Sequence, residues 1–296
     1  MRLQIHFCAI LLGCAALAGA DDLKSGPCDR ECLRGFTTQY LTALIAHQPS
    51  DLPLADRVRF TEDTVEMRLG DSPLWKNVSR LRPYRLDILD VQQGVAASQS
   101  IVEEAGMPVM LMLRLKITGR KIAEVEAQVT RNKAEGSLFN TEALKGASGA
   151  MLVKPDEGQR NSREEATRIA ELYPAGLKAG SFVTVDTPFA AKAYRFENGQ
   201  LMAGPGCTFR PDCVDIKAQK IPTLSGITQR VAAVDEDLGI VLLRMDFGPG
   251  SSRVAGDSLI VWEAFKVYGG QIQAVEAFMK NMPLGTPSGW DSGSSK

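Results

Sequence analysis

The chain has 296 residues, of which 44% are hydrophobic and 23% charged, and its formal net charge at pH 7 is −1. This balance is typical of one large or two ordinary globular domains with a sizeable core. The small net charge and the absence of a Lys/Arg block disfavour nucleic acids and anionic membranes as partners.

The first twenty residues have the pattern of a cleaved secretory signal. An apolar run covers residues 5–17, and a small-residue Ala-Gly-Ala site over residues 18–20 precedes Asp21. The run is too short to span a membrane, and no later stretch approaches the roughly 20 apolar residues that a span needs. We therefore expect a periplasmic or secreted protein that begins near Asp21. Lipoprotein cleavage at Cys14 is the less favoured alternative.

Four cysteines remain after the predicted signal, and they form two pairs along the sequence. Cys28 lies close to Cys32, and Cys207 lies close to Cys213. An even number of cysteines in an exported chain favours disulfides over metal or redox chemistry. Four cysteines allow three connectivities, of which we favour the two local bridges.

The first half of the chain has a helix followed by strands. Residues 29–47 have apolar side chains at helical spacing, and the segment over residues 54–63 follows at the transition from helix to sheet. Four stretches with strand-like alternation follow, which predicts an α+β domain with an antiparallel meander. These predicted strands cover residues 84–90, 94–103, 109–117 and 121–129.

The same order returns in the second half. After an irregular linker over residues 132–162, a helix is predicted over residues 163–179, and the segment over residues 187–198 repeats the transition from helix to sheet. We assign domain 1 to residues 21–131, domain 2 to residues 163–290 and a flexible tail to residues 291–296. The four further strands are predicted at residues 227–235, 240–247, 258–267 and 271–279.

The two halves are related by an internal repeat. Residues 116–127 match residues 266–277 at an offset of 150, including a Gly-containing turn, whereas the segments that begin at Leu54 and Phe189 match at an offset of 135. The chain is therefore predicted to be a tandem duplication whose second copy has gained 15 residues (150 − 135). The loop over residues 204–222 is the expected place for them.

Several short motifs between residues 28 and 290 resemble a known family. They are Cys-Asp-Arg-Glu-Cys at residues 28–32, Arg-Phe-Glu-Asn-Gly at residues 195–199, Glu-Ala-Phe-Lys-Val at residues 263–267 and Ser-Gly-Trp at residues 288–290. With the helix-then-meander order, they resemble the NTF2-like (SnoaL-like) superfamily, and most closely a secreted tandem-repeat subfamily. The resemblance implies two cone domains that form a pseudo-dimer, each with helices packed on a curved antiparallel sheet around an apolar pocket.

What the resemblance implies about activity is broad. The superfamily includes dehydratases, isomerases and lyases, among them formaldehyde-releasing lyases of lignin-derived aromatic dimers, mostly without a cofactor. It also includes modules that bind an apolar molecule or a protein partner without catalysis, and modules that only dimerise. We accordingly expect a small apolar or aromatic ligand, no cofactor, and a possible homo-oligomer.

One carboxylate stands out within the repeat. Glu263 interrupts an otherwise apolar face of the strand over residues 258–267, and the equivalent position in the first copy is Leu113. A buried acid beside a substrate would have a raised pKa and would suit general acid/base catalysis. The alternative is an ion pair with Arg230 or Arg244 on neighbouring strands.

Other candidates come from the same reasoning and from the family motifs. A tyrosine lies on the apolar face of each helix, an Arg-x-Glu-Asn pattern follows the second helix, and aromatic residues could line a pocket. Each of these residues could instead serve the core, a turn or a structural salt bridge. The catalytic candidates are Glu263, Glu197, Arg195, Arg230, Tyr173 and Tyr40, and the substrate-binding candidates are Asn198, Trp262, Phe196 and Glu276.

Metal and nucleotide chemistry are disfavoured. The predicted mature chain has one histidine, His47, and its cysteines are assigned to disulfides, so the usual nitrogen and sulfur ligands of a metal site are missing. It also has no phosphate-binding loop and no nucleophile elbow. The leading hypothesis is an exported acid/base lyase, dehydratase or isomerase whose site lies in domain 2.

Overall fold

A computed structural model describes residues 28–224 and 226–290. The predicted signal segment, its Cys14 alternative and the tail over residues 291–296 lie outside the described residues. Domain 1 contains α1 (Arg30–Ala46), β1 (Leu54–Glu62), β2 (Val65–Glu66), α2 (Pro73–Asn77), β3 (Val78–Asp90), β4 (Val95–Glu104), β5 (Met107–Thr118) and β6 (Lys121–Thr130). The linker contains α3 (Gly149–Leu152). Domain 2 contains α4 (Arg163–Ala179), α5 (Phe182–Val185), β7 (Phe189–Glu197), β8 (Gln200–Ala203), β9 (Thr228–Asp235), β10 (Ile240–Asp246), β11 (Asp257–Tyr268) and β12 (Gln271–Pro283).

The two domains have the same sheet topology. Domain 1 orders its strands β2-β1-β6-β5-β4-β3, and domain 2 orders its strands β8-β7-β12-β11-β10-β9. This confirms the predicted fold class of two similar α+β domains. The sheets are mixed rather than purely antiparallel, because β1 pairs with β6 and β7 pairs with β12 in parallel. The helix-to-sheet segments, which alternated too weakly for a sequence-based strand assignment, supply the parallel strands β1 and β7.

The strand registers divide the inserted residues between two loops. The offset is 135 at the first strands (189 − 54), 145 where Asp90 and Asp235 end β3 and β9 (235 − 90), and 150 at the final hairpins. Ten residues were therefore gained between β8 and β9 and five between β10 and β11. The prediction of a single 15-residue insertion is wrong in this respect, since five of the residues lengthen the loop over residues 247–256.

Each long helix covers one face of its own sheet. The Asp29 side chain caps α1 by accepting a hydrogen bond from the backbone of Cys32 (2.8 Å), and Ser162 caps α4 in the same way. The apolar faces of α1 and α4 then join two separate cores with the sheet residues beneath them. Burial of these faces, rather than helix propensity alone, holds the helices in place.

The opposite faces of the two sheets form a third core between the domains. It combines residues of β3, β4 and β5 with residues of β9, β10, β11 and β12. Tyr84 of domain 1 packs against Phe278 of domain 2, with 5.9 Å between ring centroids. One face of each sheet is therefore occupied by the other domain, which makes the chain a pseudo-dimer.

Two buried aspartates join the domains reciprocally. Asp90 accepts a hydrogen bond from the backbone N–H that precedes Asp235 (2.8 Å), and Asp235 accepts one from the N–H that precedes Asp90 (3.0 Å). Arg163 of α4 binds Asp90 (2.6 Å), and Arg30 of α1 binds Asp235 (2.5 Å). Equivalent residues of the two copies thus make equivalent contacts across the interface, as in an isologous dimer.

The C-terminal segment returns from domain 2 to domain 1. Trp290 donates from its indole nitrogen to the Thr61 hydroxyl (2.8 Å), and its ring lies under Arg59 and Arg114. The linker is held by Lys266, whose buried ammonium donates to carbonyl oxygens of residues 151, 153 and 238. The linker and the C-terminal segment thus add non-covalent contacts within the pseudo-dimer.

Both predicted disulfides are present. Cys28 is bonded to Cys32, and Cys207 is bonded to Cys213. The pairs fit an oxidising compartment outside the cytosol. In the described part of the chain, none of the helices has the length and apolar content required to cross a bilayer.

The reciprocal contacts predict equal stability losses on the two sides. Asp235→Ala should lower the free energy of unfolding by about 2–4 kcal/mol, because it removes the counter-ion of Arg30 and leaves buried N–H groups unpaired. Asp90→Ala should cost a similar amount. Denaturant unfolding followed by circular dichroism measures both. The control is Glu31→Gln, in the exposed ion pair with Arg34, which should change stability by less than about 0.5 kcal/mol. If both Asp variants lose no more stability than this control, the reciprocal contacts do not stabilise the pseudo-dimer.

Candidate functional site

Domain 2 encloses a cavity between α4, the sheet and the two inserted loops. Its volume is about 220 Å³. Most of its lining is apolar, and a small polar group lies on one wall. We call it the domain-2 cavity. The polar residues on that wall are Tyr173, Arg195, Glu197, Gln219 and Glu263, and the inserted loops contribute Phe209, Arg210, Ser251 and Arg253.

Strand register brings two carboxylates to the same wall. Ala277 of β12 lies opposite Glu263 of β11 on one side and opposite Glu197 of β7 on the other. Neighbouring strands are about 4.8 Å apart, so the two glutamate backbones are separated by roughly 10 Å and both side chains point to the face of α4. The small Ala277 side chain leaves room between them.

Glu263 is the most perturbed acid of this group. It is 3% exposed, and burial, reinforced by the negative charge of Glu197, raises its pKa to about 8. The positive charge of Arg195 and hydrogen bonding with Tyr173 act in the opposite direction but are outweighed. Near neutral pH the Glu263 carboxyl is therefore mostly protonated and is poised to exchange a proton.

Arg195 is the cation at the centre of the group. It donates to the Tyr173 hydroxyl (3.1 Å) and to the Gln219 amide oxygen (2.9 Å). Its Nε lies 2.8 Å from Glu197, but this N–H is not aligned for a hydrogen bond to any described residue. The ion pair with Glu197 is thus mainly Coulombic, and one buried N–H direction of Arg195 is left without an acceptor.

Gln219 is a site residue that sequence reasoning missed. It lies in the longer inserted loop, is 4% exposed, and donates to the Met202 carbonyl (3.0 Å) while accepting from Arg195. The Cys207–Cys213 bridge closes the start of the same loop. A lone glutamine in an irregular segment has no periodicity, so the only available signal was that the second copy had gained residues here.

Tyr173 lies where the helix faces the cavity. It projects from α4 and packs against Phe182 (4.9 Å between ring centroids) and Phe265 (5.0 Å). Burial raises the pKa of its hydroxyl well above the ordinary value. The hydroxyl therefore stays protonated and can donate a hydrogen bond while it accepts one from Arg195.

Four predicted site residues lie on the opposite face of the domain-2 sheet. Arg230, Trp262, Phe196 and Glu276 are on the side that faces domain 1, as their strand registers require. Arg230 binds Glu126 of domain 1 (2.5 Å) and lies over the Trp262 ring. The alternative ion pair of Glu263 with Arg230 or Arg244 is not formed. Both arginines lie over the Trp262 ring, and Trp262 and Glu263, as successive residues of β11, point to opposite faces of the sheet.

Glu276 and Asn198 hold the linker and the domain interface together. The Glu276 carboxylate accepts hydrogen bonds from Ser148 (2.7 Å) and Tyr194 (2.8 Å). Asn198 has a positive φ of 46° in the turn after β7, and its side chain makes a pair of hydrogen bonds with the backbone of Met279 (2.8 and 3.0 Å). Neither Glu276 nor Asn198 lines the domain-2 cavity.

Tyr40 occupies the equivalent helix position in domain 1 but has different neighbours. Its hydroxyl accepts a hydrogen bond from the Trp75 indole (3.0 Å), and the two rings meet edge to face. Trp75 is 1% exposed, and Leu113 occupies the strand position that Glu263 has in domain 2. Of the two helix tyrosines, the structure therefore brings only Tyr173 together with the carboxylates and the arginine.

Comparison with known proteins gives limited matches. Residues 159–279 match the model of the family described as "Domain of unknown function (DUF8021)". No curated protein matches the chain. A de novo designed protein with a curved β-sheet is similar over 34% of this chain and 88% of its own, at 20% identity and a TM-score of 0.30. An NTF2-like protein of unknown function from Shewanella baltica OS155 is similar over 40% of this chain and 93% of its own, at 15% identity and a TM-score of 0.28.

The buried acid predicts a falling stability as pH rises. Between the ordinary value of 4.5 and about 8, folded Glu263 keeps a proton that the unfolded chain releases, so its contribution to stability is lost progressively across this range. The slope attributable to this group is at most about 1.4 kcal/mol per pH unit. Unfolding of the wild type and of Glu263→Gln at several pH values measures it. Equal slopes in the two proteins would contradict the assignment.

The second disulfide is predicted to order the cavity wall. Replacing both Cys207 and Cys213 by serine should lower stability by about 2 kcal/mol and speed hydrogen exchange across residues 204–227, since a short closed loop is released. The matched control replaces Cys28 and Cys32, which close a similar short loop in domain 1. Exchange mass spectrometry should find the local effect at residues 204–227 in the first variant alone; unchanged exchange there would show that the bridge does not hold the loop.

Proposed function

We propose that domain 2 is a cofactor-independent acid/base enzyme, a lyase, dehydratase or isomerase that acts on a small aromatic molecule in the domain-2 cavity. One observation carries this proposal: the buried Glu263 carboxyl, with its pKa raised to about 8, lies in the cavity beside Tyr173 and Arg195. We also propose that both domains are NTF2-like, on the family motifs and the shared topology.

Charge balance supports the role of Glu263. The wall contains two carboxylates and one guanidinium, and Glu197 already serves as the counter-ion of Arg195 at 2.8 Å. A second negative charge on Glu263 would be buried without a counter-ion of its own, which is costly in an apolar cavity. Glu263 therefore holds a proton that it can give up near neutral pH, as a general acid/base residue requires.

The proposed chemistry is a proton transfer next to a carbonyl. The ionised form of Glu263 removes a proton from the carbon beside the carbonyl. The C–H electron pair becomes a carbon–carbon double bond, and the π pair of the C=O bond moves onto the oxygen. The Tyr173 hydroxyl, polarised by the donor Arg195 (3.1 Å), stabilises that oxygen. Protonated Glu263 then returns its proton to another carbon in an isomerisation, or to a departing hydroxyl in a dehydration.

The cavity volume favours a substrate with one ring. A dry cavity of about 150 Å³ holds a benzene molecule, whereas sites for drug-sized ligands start at about 300 Å³. A volume of about 220 Å³ fits one ring with a short substituent. A lignin-derived dimer would have to leave its second ring at the mouth, between the inserted loops.

The insertions support the choice of domain. Both of them line the domain-2 cavity, although they belong to different strand connections. Residues gained without a binding role have no reason to converge on one cavity. This convergence supports the same site independently of the carboxylate chemistry.

The proposal predicts proton exchange that depends on Glu263. Incubated in D₂O with one-ring aromatic ketones and hydroxyketones, the protein should exchange deuterium into the carbon next to the carbonyl, as followed by NMR. Glu263→Gln should lower that rate at least about a hundredfold, the usual size of a general acid/base contribution. The rate should rise with pH up to about 8 as Glu263 ionises.

The control is Glu124→Gln, the same substitution on the domain-1 sheet, where Glu124 binds Arg114; its rate should equal that of the wild type. If the ligands stabilise the wild type and Glu263→Gln equally and neither exchanges deuterium, the catalytic proposal fails. The alternative of a non-catalytic module that binds an apolar molecule then replaces it.

A further inference from the structure

The mouth of the domain-2 cavity carries a positive charge that none of the described residues neutralises. Arg253 lines the mouth from the loop over residues 247–256 and is exposed. Within residues 28–224 and 226–290, no ion-pair or hydrogen-bond partner exists for its side chain. This loop is one of the two that domain 2 gained; its counterpart in domain 1 is the two-residue turn between β4 and β5.

The other charges that line the cavity are compensated. Arg195 has Glu197 as its counter-ion, and the Arg210 guanidinium is bound by Asp212, with 2.8 Å between Nη2 and Oδ2. Glu263 is mostly protonated near neutral pH, because burial raises its pKa to about 8. The described lining therefore has one uncompensated charge, and it belongs to Arg253.

We propose that the ligand of this cavity is an aromatic acid, whose ring lies inside the cavity and whose carboxylate binds Arg253 at the mouth. The inference rests on the proposed function for the identity of the site, but it does not require catalysis. A guanidinium binds a carboxylate through two parallel hydrogen bonds, which makes it selective for this group.

The carboxylate is placed at the mouth rather than at the inner wall for an electrostatic reason. Deeper in the cavity it would approach Glu197 and Glu263, and the charge of Arg195 is already shared with Glu197. The carboxylates of the ligand and of Glu197 around one cation would repel one another in a low-dielectric cavity. At the mouth the carboxylate stays partly hydrated and meets an unpaired cation.

The test compares acids with neutral molecules of the same shape. Benzoate, phenylacetate, 3-phenylpropanoate and 4-phenylbutanoate are each paired with the corresponding amide, and binding to the full chain is measured by calorimetry at pH 6. At least one acid should bind roughly three- to tenfold more tightly than its amide, the size of a partly solvated ion pair. The preference should shrink in high salt, because salt screens an exposed charge.

Arg253→Gln should abolish the preference and leave amide binding unchanged. Arg57→Gln removes another exposed arginine, in β1 of domain 1, and should keep the preference. The proposal is overturned if amides bind at least as tightly as acids, if the preference survives in Arg253→Gln, or if no acid binds at millimolar concentration.

The two proposals fail separately. An Arg253-dependent preference for acids without deuterium exchange would remove the catalytic proposal and leave the acid ligand. Exchange that depends on Glu263, with equal affinity for acids and amides, would remove the acid ligand and leave the enzyme. Glu263→Gln should keep the preference for acids, since the carboxylate of the ligand binds at the other end of the cavity.

Discussion

The reciprocal contacts of Asp90 and Asp235 constrain the whole molecule. Each aspartate joins a strand end of its own domain to the backbone and the long helix of the other. A carboxylate buried this deeply is stable only with such a complete set of partners. The reciprocal contacts hold the two sheets face to face. The domain-2 cavity lies on the other, helix-covered face of its sheet.

Given that arrangement, the two copies could diverge on their helix sides without disturbing the interface. In domain 1, Leu113 and the Trp75–Tyr40 contact fill the space with apolar and hydrogen-bonded side chains. In domain 2, Glu263 takes the leucine position and the inserted loops supply Gln219. Replacing a buried leucine by an acid lowers stability unless the acid serves a function. Domain 1 keeps the stabilising leucine at this position, while domain 2 has the destabilising glutamate.

Much of the fold was predictable because periodicity and repetition are local signals. The hairpin shared by residues 116–127 and 266–277 revealed the duplication, and alternation along residues 258–267 placed Glu263 on an apolar face, as the structure confirms. Alternation cannot tell which face meets the helix and which meets the other domain. Arg230 lies on another strand and was therefore grouped with Glu263, although it faces domain 1. Trp262 precedes Glu263 on the same strand, so alternation already places it on the opposite face. The parallel strands β1 and β7 were missed because their pairing depends on a chain crossing.

The residues that sequence reasoning missed lie in the inserted loops. Their role follows from the hydrogen bonds that a buried arginine needs. Arg195 and Glu263 come from strands, yet a buried arginine has five donors to satisfy, and the strands supply few acceptors for them. Gln219 provides one, anchored in turn by Met202. The cysteine-closed loop therefore helps the apolar face of the sheet to accept a buried guanidinium. That guanidinium pairs with Glu197, so Glu263 has no counter-ion of its own. Burial, reinforced by the negative charge of Glu197, raises the pKa of Glu263 to about 8. The loop that closes the cavity and the chemistry proposed inside it depend on each other.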